Sequence, residues 1–295
     1  MTSQKINTNK AISNIGTYCN HSYTFRKKKF DFNKSYVMGI LNVTPDSFSD
    51  GGNYFDLEPA VSYGLKMLEQ GADIIDIGGQ STRPGSDPVS ANEELKRVIP
   101  VIKKILNVND EAVISIDTTK VKIAEEALKC GAQIVNDISG GSFEPEIFNV
   151  VKEFDAGFVI MHIKGKPKTM QQNVQYNNLI EEVYNFLAVQ SLKAKDAGIE
   201  KIFIDPGIGF GKSVEDNFKL INRLEDFKLL SLPILVGLSR KSFIGKSLNL
   251  EMNERDEASN ALNCLAINNG ARIIRTHNVY LAVQTCRLMN EMILN

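Results

Sequence analysis

From Val37 onward, short runs of aliphatic and β-branched residues alternate with longer stretches whose apolar positions recur every three or four residues. The short runs predict strands at Val37 to Val43, Asp73 to Ile77, Ala112 to Asp117, Gln133 to Asn136, Gly157 to His162, Lys201 to Asp205, Pro233 to Leu238 and Arg272 to Arg275. Several are almost wholly apolar, the mark of strands covered on both faces. The stretches between them carry helical spacing, as in Val61, Leu65 and Leu68, in Val121, Ala124 and Leu128, and in Leu281, Thr285, Leu288 and Met292.

Eight strand–helix units of about 32 residues in a row predict an α/β fold, and the total suits a (β/α)8 TIM barrel of roughly 250 residues. A doubly wound open sheet is the alternative, but it would gather its ligand at one switch point. Here polar, glycine-rich segments follow nearly every strand, and in a barrel all of them face one mouth. No linker or change of period marks a second domain. We therefore divide the chain into residues 1–32, a short polar and basic N-terminal extension, and residues 33–295, the barrel.

Composition narrows the partners. The 295 residues carry a formal net charge of −1, so the field of the whole molecule gives no reason to expect nucleic acid or an anionic membrane. No apolar stretch reaches the roughly 20 residues of a membrane helix. The four cysteines, Cys19, Cys130, Cys264 and Cys286, show no CxxC spacing, which speaks against a disulfide framework or zinc site and suits the reducing cytoplasm. The first 30 residues hold six Lys or Arg and no acid. They lack the apolar core of a signal peptide and contain one Arg, Arg26, so a polar tail of modest order is the expectation.

Polar residues end five of the strands: Asn42, Asp117, Asn136, Asp205, and the pair Arg275 and His277. Each alone could cap a helix or make a turn. Their recurrence at carboxyl ends, where barrel enzymes place their chemistry, points to one polar pocket. Two gaps rich in turn residues, Thr44 to Asn53 and Gly78 to Pro88, exceed ordinary βα connections and read as loops able to fold over a ligand. DPGIGFGK, Asp205 to Lys212, is not a nucleotide loop: its glycines are spaced GxGxG, and a Walker loop would need glycine where Pro206 stands. Of Arg240 and Lys241, one should face the mouth. If the chain stays extended through His277, Arg275 and His277 share a face and suit an anion, in the region where barrels often hold phosphate. His162 ends a strand among apolar neighbours and reads as structural, and His21 lies in the tail. No transition-metal spacing occurs, whereas Mg2+ bound through a pyrophosphate needs only one or two protein oxygens, such as that of Asn42.

Eight blocks then appear in order: MGILNVTPDSFSDGG (Met38 to Gly52), GGQSTRPG (Gly78 to Gly85), SIDTTK (Ser115 to Lys120), NDISGG (Asn136 to Gly141), MHIKGKPKTMQ (Met161 to Gln171), DPGIGFGK, GLSRKSFIG (Gly237 to Gly245) and RTH (Arg275 to His277). Together they resemble the dihydropteroate synthase family of pterin-binding barrels. The resemblance implies transfer of a dihydropterin-6-ylmethyl group from its pyrophosphate to 4-aminobenzoate in folate biosynthesis. Pyrophosphate would leave first with Mg2+ assistance, and a cytoplasmic homodimer that is a sulfonamide target would do the work. It assigns the pterin to Asp117, Asn136, Met161, Asp205, Phe210, Lys241 and Arg275. It assigns Mg2+ to Asn42, the pyrophosphate to Asn42, Arg275 and His277, and the 4-aminobenzoate loops to Phe48, Asp50, Thr82, Arg83, Pro84 and Ser242. Catalysis would then rest on Asn42, Asp117, Asp205, Lys241, Arg275 and His277, with no protein nucleophile. The one departure noticed is Gln80, where the family usually has Glu.

Two rivals share the ring pocket. A pterin-binding methyltransferase would not need the RTH pair, SRKSFIG or the two loops. A non-catalytic pterin carrier would have little use for the loops and Mg2+.

Overall fold

Each predicted apolar run becomes a strand, and the eight close into a parallel barrel. The computed structural model describes residues 22–44, 57–81, 85–87, 89–172 and 174–294. The barrel strands are β3 (Tyr36–Asn42), β4 (Ile74–Gly78), β5 (Ile114–Asp117), β6 (Ile134–Asp137), β7 (Gly157–Met161), β8 (Ile202–Asp205), β9 (Ile234–Gly237) and β10 (Ala271–Thr276), in the closed order β10-β3-β4-β5-β6-β7-β8-β9. Helices α1 (Leu57–Glu69), α2 (Ala91–Val108), α3 (Val121–Lys129), α4 (Ile147–Glu153), α5 (Leu179–Asp196) and α6 (Val214–Asn222) follow β3 to β8 in turn. Two helices, α7 (Ser242–Leu248) and α8 (Asp256–Asn268), follow β9, and α9 (Val279–Leu294) follows β10. No helix among the described residues is long and apolar enough to cross a membrane.

Period two along each strand divides the barrel into an apolar end and a polar end. One buried apolar cluster takes a residue from seven of the barrel strands and Val113 just before β5: Met38, Ile74, Val113, Ile134, Val159, Phe203, Leu235 and Ile273. Two residues further on, toward the carboxyl end, the same strand faces carry Ile40, Asp76, Ser115, Asn136, Met161, Asp205, Gly237 and Arg275. The alternate positions, such as Val37, Ile75, Ile114, Val135, Phe158, Ile204, Val236 and Ile274, join the cluster between barrel and helices. At about 1.5–3 kcal/mol per buried aliphatic side chain, these layers dominate the stability.

The N-terminal assignment needs correcting. Residues 22–31, placed above in a polar extension, form an antiparallel hairpin of β1 (Ser22–Phe25) and β2 (Lys28–Asp31). The run of Lys that made this segment look like a tail, Lys27 to Lys29, is flanked on both sides by buried aromatics. Tyr23, Phe25, Phe30 and Phe32 sit in the apolar cluster at the amino end of the barrel, with Tyr23 and Phe32 edge-on to Phe203 at 5.2 and 5.7 Å between ring centres. The Tyr23 hydroxyl donates to the Ile202 carbonyl at 2.9 Å. The hairpin thus plugs the bottom of the barrel. Residues 1–21, including Cys19 and His21, lie outside the described residues.

The last helix packs by a stripe other than its large leucines. The helical spacing of Leu281, Thr285, Leu288 and Met292 is that of α9, but Leu288 and Met292 are 65% and 66% exposed, whereas Ala282, Val283, Thr285, Cys286 and Met289 are buried. Small residues, rather than the large leucines, let this helix approach the barrel.

Candidate active site

The carboxyl ends of β5, β6, β8 and β10 bring Asp117, Asn136, Asp205 and Arg275 into one buried polar cluster, and Asp76 of β4 joins it. Arg275 lies across the barrel: its Nε donates to Asp76 Oδ2 at 2.6 Å and one terminal nitrogen to Asp117 Oδ2 at 2.6 Å. Asn136 Nδ2 donates to the same Asp76 oxygen at 2.9 Å. Burial raises the Asp117 carboxyl to about 7 against the pull of Arg275, and the two neighbouring carboxylates hold Arg275 firmly protonated despite its own burial.

On the opposite wall, Asp205 Oδ1 accepts from the Gly207 N–H at 2.7 Å. Burial raises this carboxyl to about 6, opposed by that hydrogen bond, by Lys241, Lys212 and Arg275. Lys241 Nζ stands 4.1 Å from the centre of the Phe210 ring, and burial lowers its ammonium to about 8. Phe210 packs with Ile138, Met161, Ile163 and Met170 in a small apolar cluster of its own. The result is a half-polar, half-apolar chamber. Carboxylates and an amide offer hydrogen-bond partners, and Phe210 and Met161 offer apolar surface for the face of a flat heterocycle.

Of the two adjacent cations, Lys241 faces this chamber. Arg240, with a left-handed backbone at φ 57°, turns away and forks onto Asp256 at 2.7 and 2.9 Å. The strand does not carry the Arg275 and His277 pair on one extended stretch. β10 ends at Thr276, so the extension on which that reading depended stops short. His277 instead bends to Ser239, whose hydroxyl lies 2.9 Å from Nδ1 and accepts the His277 N–H at 3.1 Å.

Asn42 ends β3 opposite Gly78. It is half-buried, and no hydrogen bond to its side chain is seen among the described residues. Ser242 opens α7 and is exposed. It lines a cleft of about 340 Å3 together with Gln171, Gly209, Lys212, Ser213 and Lys246. Phe48, Asp50, Thr82, Arg83 and Pro84 lie outside the described residues. Gln80, at the base of the second loop, accepts from Lys120 Nζ at 2.7 Å and from the Val89 N–H at 3.2 Å.

These features have relatives. Residues 38–277 match the model of the pterin binding enzyme family. The chain is 48% identical over 267 residues to the dihydropteroate synthase of Synechocystis, covering 89% of this chain and 92% of that one. It is 45% identical to the Escherichia coli dihydropteroate synthase, over 88% of this chain and 92% of the other. The chain belongs to the dihydropteroate synthase family. Among solved members, the Yersinia pestis enzyme in complex with a sulfonamide drug superposes with a TM-score of 0.87 at 38% identity, covering 93% of this chain and all of that one. The Xanthomonas albilineans enzyme with 7,8-dihydropteroate gives 0.82 at 35%, covering 92% of this chain and 98% of the other.

Sequence reasoning missed three residues of this family member's site: Asp76, Ser239 and Lys212. Asp76 lay hidden inside an apolar run. A signal existed, because a carboxylate two positions beyond an inward isoleucine must also point into the barrel, where burial without a partner is costly.

Proposed function

We infer that the protein is a dihydropteroate synthase: it transfers the dihydropterin-6-ylmethyl group from 6-hydroxymethyl-7,8-dihydropterin pyrophosphate to 4-aminobenzoate and releases pyrophosphate. The observation that carries the reading is the chamber itself, where Asp117, Asn136, Asp205 and Lys241 converge over Phe210 in a chain that belongs to this family. The carboxylates accept from ring N–H and amino groups, and Lys241 donates to the ring's acceptor edge. Met161 and Phe210 cover its faces. Such a set fixes a pterin in one orientation.

The carbon–oxygen bond to pyrophosphate breaks first, and the electron pair leaves with the phosphate oxygen. The positive charge spreads into the pterin ring, where Asp117 and Asp205 stabilise it electrostatically. The amine of 4-aminobenzoate then attacks the methylene carbon and loses a proton to solvent. No protein nucleophile takes part. Arg275 and His277 bind the pyrophosphate. The Nε of Arg275 remains on Asp76, and Ser239 holds Nδ1 of His277. The cleft beside Ser242 receives 4-aminobenzoate, with Phe48, Asp50, Thr82, Arg83 and Pro84 contributed by the two loops.

Mg2+ is the cofactor in this reading, and when bound it neutralises charge on the leaving pyrophosphate. The donor set fits: no cluster of three His, Cys, Asp or Glu able to hold a metal occurs among the described residues. Asn42 offers an amide oxygen that accepts no hydrogen bond among the described residues, as expected of a hard ion held mainly by phosphate and water. We place the protein in the cytoplasm as a homodimer. The exposed apolar side chains Leu265, Tyr280 and Leu288 on the packed pair α8 and α9 support the second assignment.

Purified protein with Mg2+ should form dihydropteroate and pyrophosphate in equal amounts from the two substrates. Folded protein that releases no pyrophosphate above background would refute the reading.

A further inference from the structure

Lys212 ends the DPGIGFGK segment, which the sequence separates from nucleotide-binding loops without giving it a task. It is 2% exposed, so it cannot touch a ligand in the chamber, yet it brings a charge into the protein interior. A buried ammonium is costly unless all its protons find acceptors. Here three acceptors surround it: Nδ1 of His162 at 3.0 Å, the Phe210 carbonyl at 3.0 Å and the His162 carbonyl at 3.4 Å. An ammonium has three donors, and the site uses each.

The surroundings are built for this contact. Gly207 and Gly211 adopt left-handed conformations at φ 70° and 63°, and a β-carbon at either would collide with the carbonyl of His162 or Lys164. The loop after β8 therefore lies directly against the loop after β7, with Lys212 Nζ between them. The His162 ring is closed in by Phe186, edge-on at 5.1 Å, and by Tyr176 at 6.2 Å. Tyr176 donates to the Gly211 carbonyl at 2.7 Å. Burial and the neighbouring Lys212 charge hold His162 neutral, far below its ordinary range. With Nδ1 accepting, its proton sits on Nε2.

Two site residues hang on this junction. Phe210 is held through its carbonyl, and Asp205 through the Gly207 N–H. Lys212 also adds a positive charge behind Asp205, alongside Lys241 and Arg275 on the chamber side. We propose that Lys212 is a positioning residue for the pterin: clamped between His162 and the Phe210 carbonyl, it sets the height of Phe210 and places a cation behind Asp205 without itself contacting the pterin. The proposal rests on the pterin-binding reading given above.

Burial lowers the Lys212 ammonium to about 7; of the groups facing it, Asp205 and Asp216 favour its charge and Lys241 and Lys164 oppose it. Those facing Asp205 are Lys241, Lys212 and Arg275, all of which lower its pKa. Asp117 is the other carboxylate acting on Lys241 in the same chamber.

The test is binding of 6-hydroxymethyl-7,8-dihydropterin by calorimetry between pH 5 and pH 8, for wild type, Lys212→Met and His162→Asn, each first shown to unfold cooperatively. Lys212→Met should weaken binding roughly tenfold or more, the size of one positioned hydrogen-bonded group lost. It should also move the acid limb of binding to higher pH, because a cation behind Asp205 has gone. His162→Asn removes a contact and no charge, so it should weaken binding without moving that limb. Unchanged affinity in folded Lys212→Met, or a loss uniform across pH, overturns the proposal. Should Lys212→Met fail to fold, unchanged affinity in His162→Asn overturns it equally. Imidazole nitrogen NMR adds a check that needs no variant: His162 protonated at Nδ1 anywhere between pH 5 and pH 8 would also overturn it. Folded wild type that binds no pterin would instead refute the function on which the proposal rests.

Discussion

Arg275 Nε lies 2.6 Å from Asp76 Oδ2, and because Asp76 is fully buried this pair anchors the guanidinium inside the barrel, in the polar layer at its carboxyl end. Arg275 can then release Asp117 toward substrate while Nε keeps it in place. The same Asp76 oxygen aligns Asn136. One carboxylate thus organises two residues that face the chamber.

Asp76→Ala leaves Arg275 with one carboxylate and Asn136 without an acceptor. Removing one partner of a buried ion pair typically costs about 3–5 kcal/mol, so the variant should lose stability of that order in urea unfolding. Its turnover should fall with its pterin affinity, since Arg275 and Asn136 both lose their orientation. Asp76→Asn preserves shape but not charge, and it should unfold at intermediate urea. A variant as stable and active as wild type would remove Asp76 from the site.

Asp205 makes opposite pH predictions for stability and for binding. Its folded value of about 6 exceeds the ordinary 3.8 because of burial, so the folded chain takes up this proton first. The carboxyl therefore costs stability in full above pH 6, and the cost is relieved as pH falls toward 4. Pterin affinity runs the other way, because only the ionised form accepts two hydrogen bonds. Comparing thermal unfolding of wild type and Asp205→Asn without substrate, the variant's stability relative to wild type should be greatest at pH 7.5 and decline by pH 4.5. Calorimetry should show wild-type pterin affinity falling over the same descent. A stability difference that grows on acidification would contradict the burial account.

Much of this was legible in the chain, and the failures share a cause. The eight strands read correctly because each is an aliphatic run in a parallel sheet covered on both sides. Asp117, Asn136 and Asp205 read as site residues because they end strands. Asp76 and Lys212 did not, because their roles depend on partners 199 and 50 positions away, Arg275 and His162, which no local pattern reports. The hairpin of residues 22–31 was missed for a related reason. Its lysines face solvent, and the value of Phe30 and Phe32 comes from a barrel floor assembled from eight distant strands.

That floor gives a prediction separable from catalysis. Phe30 is fully buried and lies edge-on to Phe25 at 5.7 Å. Phe30→Ala should cost about 3–5 kcal/mol, as for other buried Phe-to-Ala changes. Because the plug sits at the end of the barrel away from the chamber, turnover at saturating substrates should stay within roughly twofold of wild type at temperatures where the variant is folded. Loss of turnover in the folded variant would show that the floor and the chamber are coupled.

Gln80 and Lys120 support the last prediction. Lys120 Nζ holds Gln80 Oε1, the Val89 carbonyl and Glu94, and Glu94 in turn accepts from Thr118 at 2.8 Å. Glu94 is 1% exposed, and among the described residues Lys120 is the one cation paired with it. Lys120→Met should therefore cost about 3–5 kcal/mol by leaving a buried carboxylate unpaired. Gln80→Glu adds a carboxylate at a half-buried position that already accepts from Lys120, and the gain in attraction is offset by repulsion from Glu94. Its effect on urea unfolding should stay within about 1 kcal/mol. The departure at position 80 is thus tolerated because Gln supplies the acceptor that Lys120 and the Val89 N–H require. If Gln80→Glu instead shifted stability as far as Lys120→Met does, the amide would be more than a neutral acceptor, and the base of the second loop would depend on its lack of charge.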